Sequence, residues 1–342
     1  MNTSQSSSTP RSSQNKKRAV LLIALFLLCL CAFALAISVG AADINVFDAL
    51  SALIGGKHDD TSLKILLHIR LPRATGALAA GAALAVSGVI IQAVINNPMA
   101  APNLIGVNAG AGFCTIVAMA LFPSFVVHLP LAAFIGALLT ALLIFAISSV
   151  TGAGKITVTL VGIAVGSILT AGINTIKVLF PDSVYDVSGF LIGGLSGATN
   201  QTVLPALAAI IPALLIAVIF SRSLDALSLG ENVASGIGIN VRKIRLLWLT
   251  LAALLAGAAV SFSGLIGFVG LLVPHIMRRF TGGNHRFLIP ASILGGGAFL
   301  LLADTLSRTL FAPYELPVGI LMSLVGGPFF IILILNQRRV KK

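Results

Sequence analysis

The sequence predicts an all-α polytopic membrane protein of about ten transmembrane helices. Hydrophobic residues make up 57% of the 342 residues and charged residues only 9%, whereas about 25% of the residues in a soluble domain are charged. Apolar stretches of roughly 17–25 residues, which suffice to cross a hydrocarbon core of about 30 Å, recur along the chain. The 34 glycines fit this class, because small residues let membrane helices approach closely.

The order of polar and apolar segments gives the predicted organisation. Residues 1–18 are polar and serine-rich, and we predict a disordered cytoplasmic tail there. Residues 19–337 form one transmembrane domain, and residues 338–342 form a cytoplasmic C-terminal tail. The predicted spans, in chain order, are 19–41, 74–94, 108–122, 130–150, 157–175, 203–221, 246–263, 266–280, 288–306 and 317–335.

Basic residues indicate the orientation of these spans. An even number of spans places both termini on one side, and Lys or Arg residues flank both ends of the chain and the loop of residues 222–245. By the positive-inside rule, that side is cytoplasmic. The excess of 22 Lys and Arg over 10 Asp and Glu is therefore explained by topology, and nucleic-acid binding is not indicated.

Two segments of the chain resemble each other. Residues 80–90, AGAALAVSGVI, match residues 256–266, AGAAVSFSGLI, at an offset of 176 that also aligns Pro98 with Pro274 and Gly106 with Gly282. The predicted spans that carry the two segments run in opposite directions, so the repeat is inverted. Inverted repeats are common in transporters, with the substrate pathway at their interface.

Residues that would indicate an enzyme or a nucleotide site are not found in the sequence. The segment SVTGAGKIT at 149–157 resembles a phosphate-binding loop. It fails because Ser149 replaces the first glycine and Ile156 replaces the final hydroxyl residue. Any ATP must therefore be bound by another chain. The three cysteines lie in apolar segments without ligand spacing, and neither a disulfide nor a metal or cofactor site is indicated.

One long polar stretch, DALSLGENVASGIGINVRKIR at 225–245, interrupts the apolar body of the chain. Its segment LSLGENVASGIGI predicts one or two short helices broken by Gly236 and Gly238. The residues that offer apolar contacts are Val233, Ile237, Ile239 and Val241. Glu231 at a predicted helix start favours such a helix, because an acidic side chain is stabilised at the positive end of the helix dipole. The alternative is an ordinary solvated loop, but the apolar residues favour contact with a soluble partner.

Several charges lie on the predicted outward side, against the inside rule. Arg70, Arg73 and Arg308 are candidates for a function on that surface, and the alternative is that they anchor helix ends by snorkelling. Asp304 and Arg308 are four residues apart on one helix face, which predicts a structural ion pair rather than a proton relay. At the broken helices near Pro98 and Pro274, the polar side chains predicted to satisfy freed backbone groups are those of Gln92, Asn96 and Asn97.

From about residue 60 to 335 the sequence resembles the FecCD family, the iron-siderophore and cobalamin permeases of ATP-binding-cassette importers. The motifs that carry the resemblance are RLPR at 70–73, NNPMAAPNLIGVNAGAG at 96–112, LGENVASGIGINV at 229–241, GFVGLLVPHIMR at 267–278, HR at 285–286, LLAD at 301–304 and ELPVGI at 315–320. The resemblance implies a cobalamin-permease-like fold of ten helices without enzymatic activity of its own.

The resemblance also implies partners and site residues. A second permease subunit, identical or paralogous, would complete the pathway, two cytoplasmic ATPases would dock below, and an extracytoplasmic solute-binding protein would deliver the ligand. The residues implied to couple to the ATPases are Gly230, Glu231, Ala234, Gly238 and Arg242. Those implied to dock the binding protein are Arg70, Arg73 and Arg308. The pathway or gate residues are Thr157, Thr159, Gly162 and Gly166.

We therefore expect a bacterial cytoplasmic-membrane permease subunit that imports ferric siderophores. A haem or cobalamin importer is the alternative within the family. The alternative from another class is a secondary carrier driven by ions, which would be expected to bury several acidic groups, whereas Asp304 is the one good candidate in the sequence.

Overall fold

The computed structural model describes residues 11–40, 60–103, 106–122, 129–150, 155–181, 187–236 and 240–340. Regular structure within these ranges is helical. The helices are α1 (Arg11–Ser38), α2 (Asp60–Ile65), α3 (Leu71–Val94), α4 (Val107–Leu121), α5 (Leu129–Val150), α6 (Lys155–Leu179), α7 (Val187–Ile192), α8 (Asn200–Ile219), α9 (Ser221–Ser228), α10 (Glu231–Gly236), α11 (Val241–Ser263), α12 (Val269–Thr281), α13 (His285–Thr309) and α14 (Val318–Val340). A π-helical segment, Leu66–Arg70, joins α2 to α3.

Seven helical stretches in the described ranges are long and apolar enough to cross a membrane, which makes the chain a polytopic all-α membrane protein. Helices α4 and α5 contain shorter apolar segments, Val107–Leu121 and Leu131–Ile144. Helix α12 has 13 residues, a length of about 20 Å, and cannot alone cross a hydrocarbon core of about 30 Å. Each of the ten predicted spans coincides with a helix, and ten complete crossings remain a prediction.

The terminal helices are longer than the sequence predicts. Helix α1 begins at Arg11 and α14 continues to Val340, so residues 11–18 and 338–340 are helical where tails were predicted. Extending an existing helix costs far less than nucleating one, so the apolar run carries its polar flank into the helix. Residues 1–10 of the predicted tail lie outside the described residues.

Helix α3 forms the centre of the bundle. In the apolar stretch Thr61–Val94, which includes α3, 94% of an 18-residue segment is buried. The corresponding share in Leu160–Leu179 of α6 is only 17%. It packs against α1, α8, α11, α12 and α13. Two glycine contacts bring backbones together, Gly81 with Gly296 of α13 and Gly88 with Gly270 of α12. A Cβ atom at Gly81 or Gly88 would overlap the facing carbonyl, so the close packing depends on these residues.

The bundle has two opposite ends, which α13 connects. At its first residue, His285, α13 contacts Asp225 of the 222–245 loop; we call this the loop end. At its last turn, Arg308 contacts the C-terminal part of α1, close to Arg70 and Arg73; we call this the arginine end. Helix α1 starts at the loop end, where Arg18 lies over the Phe287 ring. Helix α14 starts at the arginine end, because Leu316, just before it, is hydrogen-bonded to Ser307. Both terminal helices thus have their free ends at the loop end.

The two glycine- and proline-rich interruptions of the sequence meet inside the bundle. Asn108 donates a hydrogen bond to the carbonyl of Ile266 at 3.4 Å, and Gln92 donates to the carbonyl of Gly270 at 3.4 Å. Asn97 accepts from the amide of Met99 at 3.0 Å. Gln92 and Asn97 therefore satisfy backbone groups next to broken helices, as predicted. Helices α3 and α11, which carry the two similar segments, run in opposite directions between the ends, and the internal repeat remains a prediction.

Candidate functional site

The loop of residues 222–245 folds into two short helices. Helix α9 runs from Ser221 to Ser228 and α10 from Glu231 to Gly236, in agreement with the short helices predicted there. The chain turns between them at Gly230, whose φ of 101° lies in the left-handed region that favours glycine. Without a side chain at this position the two helices can change direction within two residues.

The outer surface of this loop is apolar and accessible. Leu229 is 63% exposed and Val233 is 51% exposed, and Arg242 at the start of α11 is exposed as well. Glu231 and Ala234 lie in α10, whose backbone is described, while Gly238 lies outside the described residues. An exposed apolar surface beside a cation is the composition expected of a surface that contacts another protein.

The inner side of the loop is fixed to the bundle by polar contacts. Asp225 accepts hydrogen bonds from the amide of His285 at 2.9 Å and from its Nδ1 at 2.6 Å. Trp248 Nε1 donates to Ser223 Oγ at 2.9 Å, which ties α9 to α11. The sequence analysis did not assign a role to Asp225 or Ser223. The available signal was the buried face of α9, with apolar residues three apart at Leu224 and Leu227.

The arginine end holds a buried network of charges. Arg73 donates to both carboxylate oxygens of Asp304, with Nε–Oδ2 at 3.0 Å and Nη2–Oδ1 at 3.1 Å. Its remaining nitrogen, Nη1, donates to Glu315 Oε2 at 2.7 Å. The side chains of Arg73 and Asp304 are 9% and 3% exposed, whereas that of Glu315 is 33% exposed. Glu315 was not among the predicted site residues, although ELPVGI was among the motifs.

The other two arginines bind the end of α1. Arg70 Nη1 donates to the carbonyls of Ile37 at 2.7 Å and Ser38 at 2.8 Å. Arg308 Nη2 donates to the carbonyl of Ala36 at 2.6 Å, and its Nε lies 3.7 Å from Asp304 Oδ2. The last carbonyls of a helix have no partner within the helix, and cations are stabilised at that end. The predicted ion pair of Asp304 with Arg308 is present, and Arg73 is the closer partner of Asp304.

All three predicted docking arginines are buried in the single chain, with 4% exposure for Arg70, 7% for Arg73 and 4% for Arg308. The structure brings them together at one end of the bundle, as their proposed common role requires. It also gives them intramolecular partners, whereas the snorkelling alternative would place their charged groups in water. Their role in docking remains a prediction.

The predicted pathway residues lie on α6. Gly162 and Gly166 pack close to Gly106, since a Cβ atom on Gly106 would stand 3.0 Å from the Gly162 carbonyl oxygen. The side chains of Thr157 and Thr159 are outside the described residues. Much of the remaining α6 surface is apolar and exposed, as at Ile168, which is 72% exposed. Helix α6 therefore presents a broad apolar face to lipid or to another subunit.

No group of three or more His, Cys, Asp or Glu residues that could hold a metal ion occurs among the residues that the structure describes. The polar groups described at the two ends are linked by hydrogen bonds and ion pairs. At the loop end, Asp225 links α9 to the first residue of α13. At the arginine end, Arg73 links the partly exposed Glu315 to the buried Asp304.

Comparison with known proteins places these features in a family. Residues 26–336 match the FecCD transport family. The hemin transport system permease protein of Yersinia pestis is 41% identical over 286 residues, which cover 82% of this chain and 86% of that protein. The Fe(3+)-citrate import system permease protein YfmE of Bacillus subtilis is 37% identical over 335 residues, with 97% of this chain and 98% of that protein covered. The iron(3+)-hydroxamate import system permease protein FhuB of the same species is 39% identical, with 94% and 84% covered.

A solved structure agrees with the sequence comparison. The fold is similar to that of a metal-chelate type ABC transporter solved in an inward-facing conformation, with a TM-score of 0.82, 27% identity, and coverage of 93% of this chain and 99% of that one. Family and fold identify a subunit that is not itself catalytic. The chain belongs to the FecCD transport family and is a multi-pass permease subunit of an ABC transporter.

Proposed function

We propose that this chain is the permease subunit of an importer for ferric siderophores in a bacterial cytoplasmic membrane, with both termini and the 222–245 loop in the cytoplasm. Two of the relatives above are permeases for iron(3+) chelates. Haem or cobalamin is the alternative cargo, because another relative is a hemin permease and a cobalamin import permease of Halobacterium salinarum is 38% identical over 283 residues.

The observation that carries the mechanism is the exposed apolar loop fixed to the bundle by buried contacts. In the proposed mechanism, two ATPase subunits bind the surface around Gly230, Glu231, Ala234, Gly238 and Arg242. Binding and hydrolysis of ATP on those chains move the loop, and the bundle follows because α9 is hydrogen-bonded to α11 and α13. The pathway lies between two permease subunits, identical or paralogous, and is lined by α6 around Thr157, Thr159, Gly162 and Gly166.

Reconstitution tests this proposal. The chain, its partner permease and the cognate ATPase are placed in liposomes, and the loaded solute-binding protein is added on the outside. We expect uptake to require ATP inside the vesicle and to persist when proton and sodium gradients are collapsed. Uptake driven by an ion gradient without the ATPase would instead establish a secondary carrier. A panel of ferric siderophores, haem and cobalamin bound to the solute-binding protein then identifies the cargo.

Docking of the solute-binding protein is proposed for the arginine end. Arg70, Arg73, Arg308, Asp304 and Glu315 together carry a net formal charge of +1, which favours an acidic partner. Arg70 and Arg308 are engaged with α1, whereas Arg73 reaches the half-exposed surface through Glu315. A carboxylate on the binding protein would take the place of Glu315 on Arg73 Nη1, so Glu315 competes with the partner.

Glu315→Gln is therefore expected to tighten capture of the solute-binding protein. The substitution removes the negative charge that competes for Arg73. We expect Kd to fall about fivefold, because an exposed ion pair contributes at most ~1 kcal/mol. The gain should shrink at high salt, because exposed charges are screened. Binding of the labelled protein to the reconstituted permease measures it.

Glu315→Asp is the matched control, since it keeps the negative charge and should leave Kd within twofold of wild type, as roughly expected for a conservative surface change. If Glu315→Gln bound the solute-binding protein with unchanged or lower affinity, we would assign the arginine end a purely structural role.

A further inference from the structure

We propose that Asp225 is the positioning residue that transmits motion of the coupling loop to α13, and through α13 to the arginine end. The inference rests on the proposed function, because it assumes that an ATPase moves the loop. Asp225 belongs to α9, the half of the loop nearest the bundle, and none of the predicted coupling residues lies on that helix.

The contact itself is a cap supplied by a different helix. His285 is the first residue of α13, and its backbone amide is one of the four that a helix leaves without an internal partner. Asp225 Oδ1 accepts from that amide at 2.9 Å and from the imidazole Nδ1 of the same residue at 2.6 Å. A carboxylate at this position is also stabilised by the positive end of the helix dipole.

The donor side of this contact is buried. His285 is 4% exposed, whereas the side chain of Asp225 is 36% exposed, so the buried donors of His285 depend on Asp225 as their acceptor. Asn284 separately caps the same helix through the amide of Arg286 at 3.0 Å. Helix α13 would therefore begin at the same place without Asp225, and the particular contribution of Asp225 is to bind α9 to it. Leaving a buried donor unpaired costs roughly 1–3 kcal/mol, which opposes separation of the two helices.

Helix α9 has a second attachment, to α11, through Ser223 and Trp248. Its buried face, Ser221, Leu224 and Leu227, holds it against the bundle. Beyond Gly230, the exposed Val233 of α10 has no comparable burial. Helix α10 contacts both α9 and α11. Force applied to α10 therefore reaches the bundle partly through α9, and the Asp225 contact directs that part to α13.

Helix α13 is suited to carry the displacement across the bundle. It has 25 residues, about 37 Å at 1.5 Å per residue. Its backbone touches that of α3 at Gly296 and Gly81, and its far turn holds Asp304 and Arg308 in the charge network. One continuous helix thus connects the proposed ATPase surface with the proposed docking surface. Coupling between two binding sites is reciprocal. Docking of the solute-binding protein at the arginine end would therefore alter the interaction of the loop with the ATPase.

The experiment uses the complete transporter in liposomes, with cargo molecules imported per ATP hydrolysed as the readout. Asp225→Ala should keep basal ATP hydrolysis, lose its stimulation by the loaded binding protein, and lower the transport ratio by at least about fivefold, the lower end of typical allosteric couplings. Asp225→Asn should remain close to wild type, because its side-chain oxygen can accept both hydrogen bonds. His285→Ala should be intermediate, since the backbone bond remains.

Ser228→Ala is the control on the same helix, because Ser228 is exposed and its hydroxyl donates only to the carbonyl of Asp225 at 2.7 Å among the contacts described. A wild-type ratio in both Asp225→Ala and His285→Ala overturns the inference. If Asp225→Ala does not fold, the test depends on His285→Ala alone. A wild-type ratio of cargo imported to ATP hydrolysed in that variant would then overturn the inference. ATP-dependent uptake by the wild-type transporter tests the proposed function separately, so its absence would not be confused with loss of coupling.

Discussion

Gly238→Trp and Glu231→Lys are each expected to abolish ATP-driven uptake while the protein still inserts into the membrane in wild-type amount. The described part of the loop is apolar and exposed at Leu229 and Val233, and the proposed partner must fit closely against the loop. An indole ring at position 238 would hold the two surfaces apart. A lysine at the first residue of α10 would place a cation at the positive end of the helix dipole, where it is disfavoured.

The measurement is uptake of ferric siderophore in cells, together with co-purification of the ATPase. We expect loss of both, and a fall in uptake of about 30-fold or more, because an interface that is disrupted at its centre loses roughly 2–4 kcal/mol. Gly283→Trp is the matched control. It adds the same bulk at the same end of the bundle, in open space, since no atom lies within 4 Å of a Cβ at that glycine.

Wild-type uptake by Gly238→Trp or Glu231→Lys would show that the ATPase binds elsewhere. An equal loss of uptake in Gly283→Trp would show that any added bulk at this end of the bundle is harmful. The variants at positions 231 and 238 would then no longer support the proposed contact of the loop with the ATPase. Retained co-purification with lost uptake would separate binding of the ATPase from transmission of its motion.

Asp304→Ala is expected to destabilise the folded protein by about 3–5 kcal/mol, the cost of leaving a buried charge without its partner. Arg73 would lose its hydrogen bonds to Asp304, and Arg308 would lose the carboxylate 3.7 Å from its Nε. Of the described residues, Glu315 would then be the acid that contacts Arg73, and its side chain is 33% exposed. Mutual repulsion would loosen the contacts of α13 with α1 and α3.

Unfolding of the detergent-solubilised chain measures this, with the midpoint temperature as readout. Asp304→Asn should lose less stability than Asp304→Ala, because the amide oxygen still accepts from Arg73. Leu306→Ala is the control on the same helix, at an exposed position, and should change stability by no more than about 0.5 kcal/mol. Full stability of Asp304→Asn combined with complete loss of uptake would favour a proton relay over the structural ion pair.

The apolar runs of the sequence were sufficient to place the helices. Hydrophobic content and span length are local properties, and a segment of 20 apolar residues must form its backbone hydrogen bonds internally in a bilayer. Helix α3 was predicted at 74–94 and is observed at Leu71–Val94. Span 266–280 was predicted as a crossing, yet α12 begins at Val269, beside Gly88 of α3, and has only 13 residues.

The candidate sites were recovered less completely. The sequence located the 222–245 loop as a long polar interruption of the apolar body, and the family motifs located the arginines. The sequence analysis missed the hydrogen bonds by which Asp225 holds the loop against α13. The partner residue, His285, is 60 residues away, and no local sequence pattern relates the two. The role of Glu315 was missed for the same reason, since it binds Arg73 across 242 residues.

The sequence by itself determined the membrane class, the helix positions, the polar loop and the identity of the charged residues at each end. These follow from hydrophobicity and periodicity, which act over a few turns of helix. Only the tertiary structure decided which charges meet, which of them are buried, and that α13 joins the two ends. Those properties depend on how helices distant in the chain pack, and contacts such as Gly81 with Gly296 set that packing.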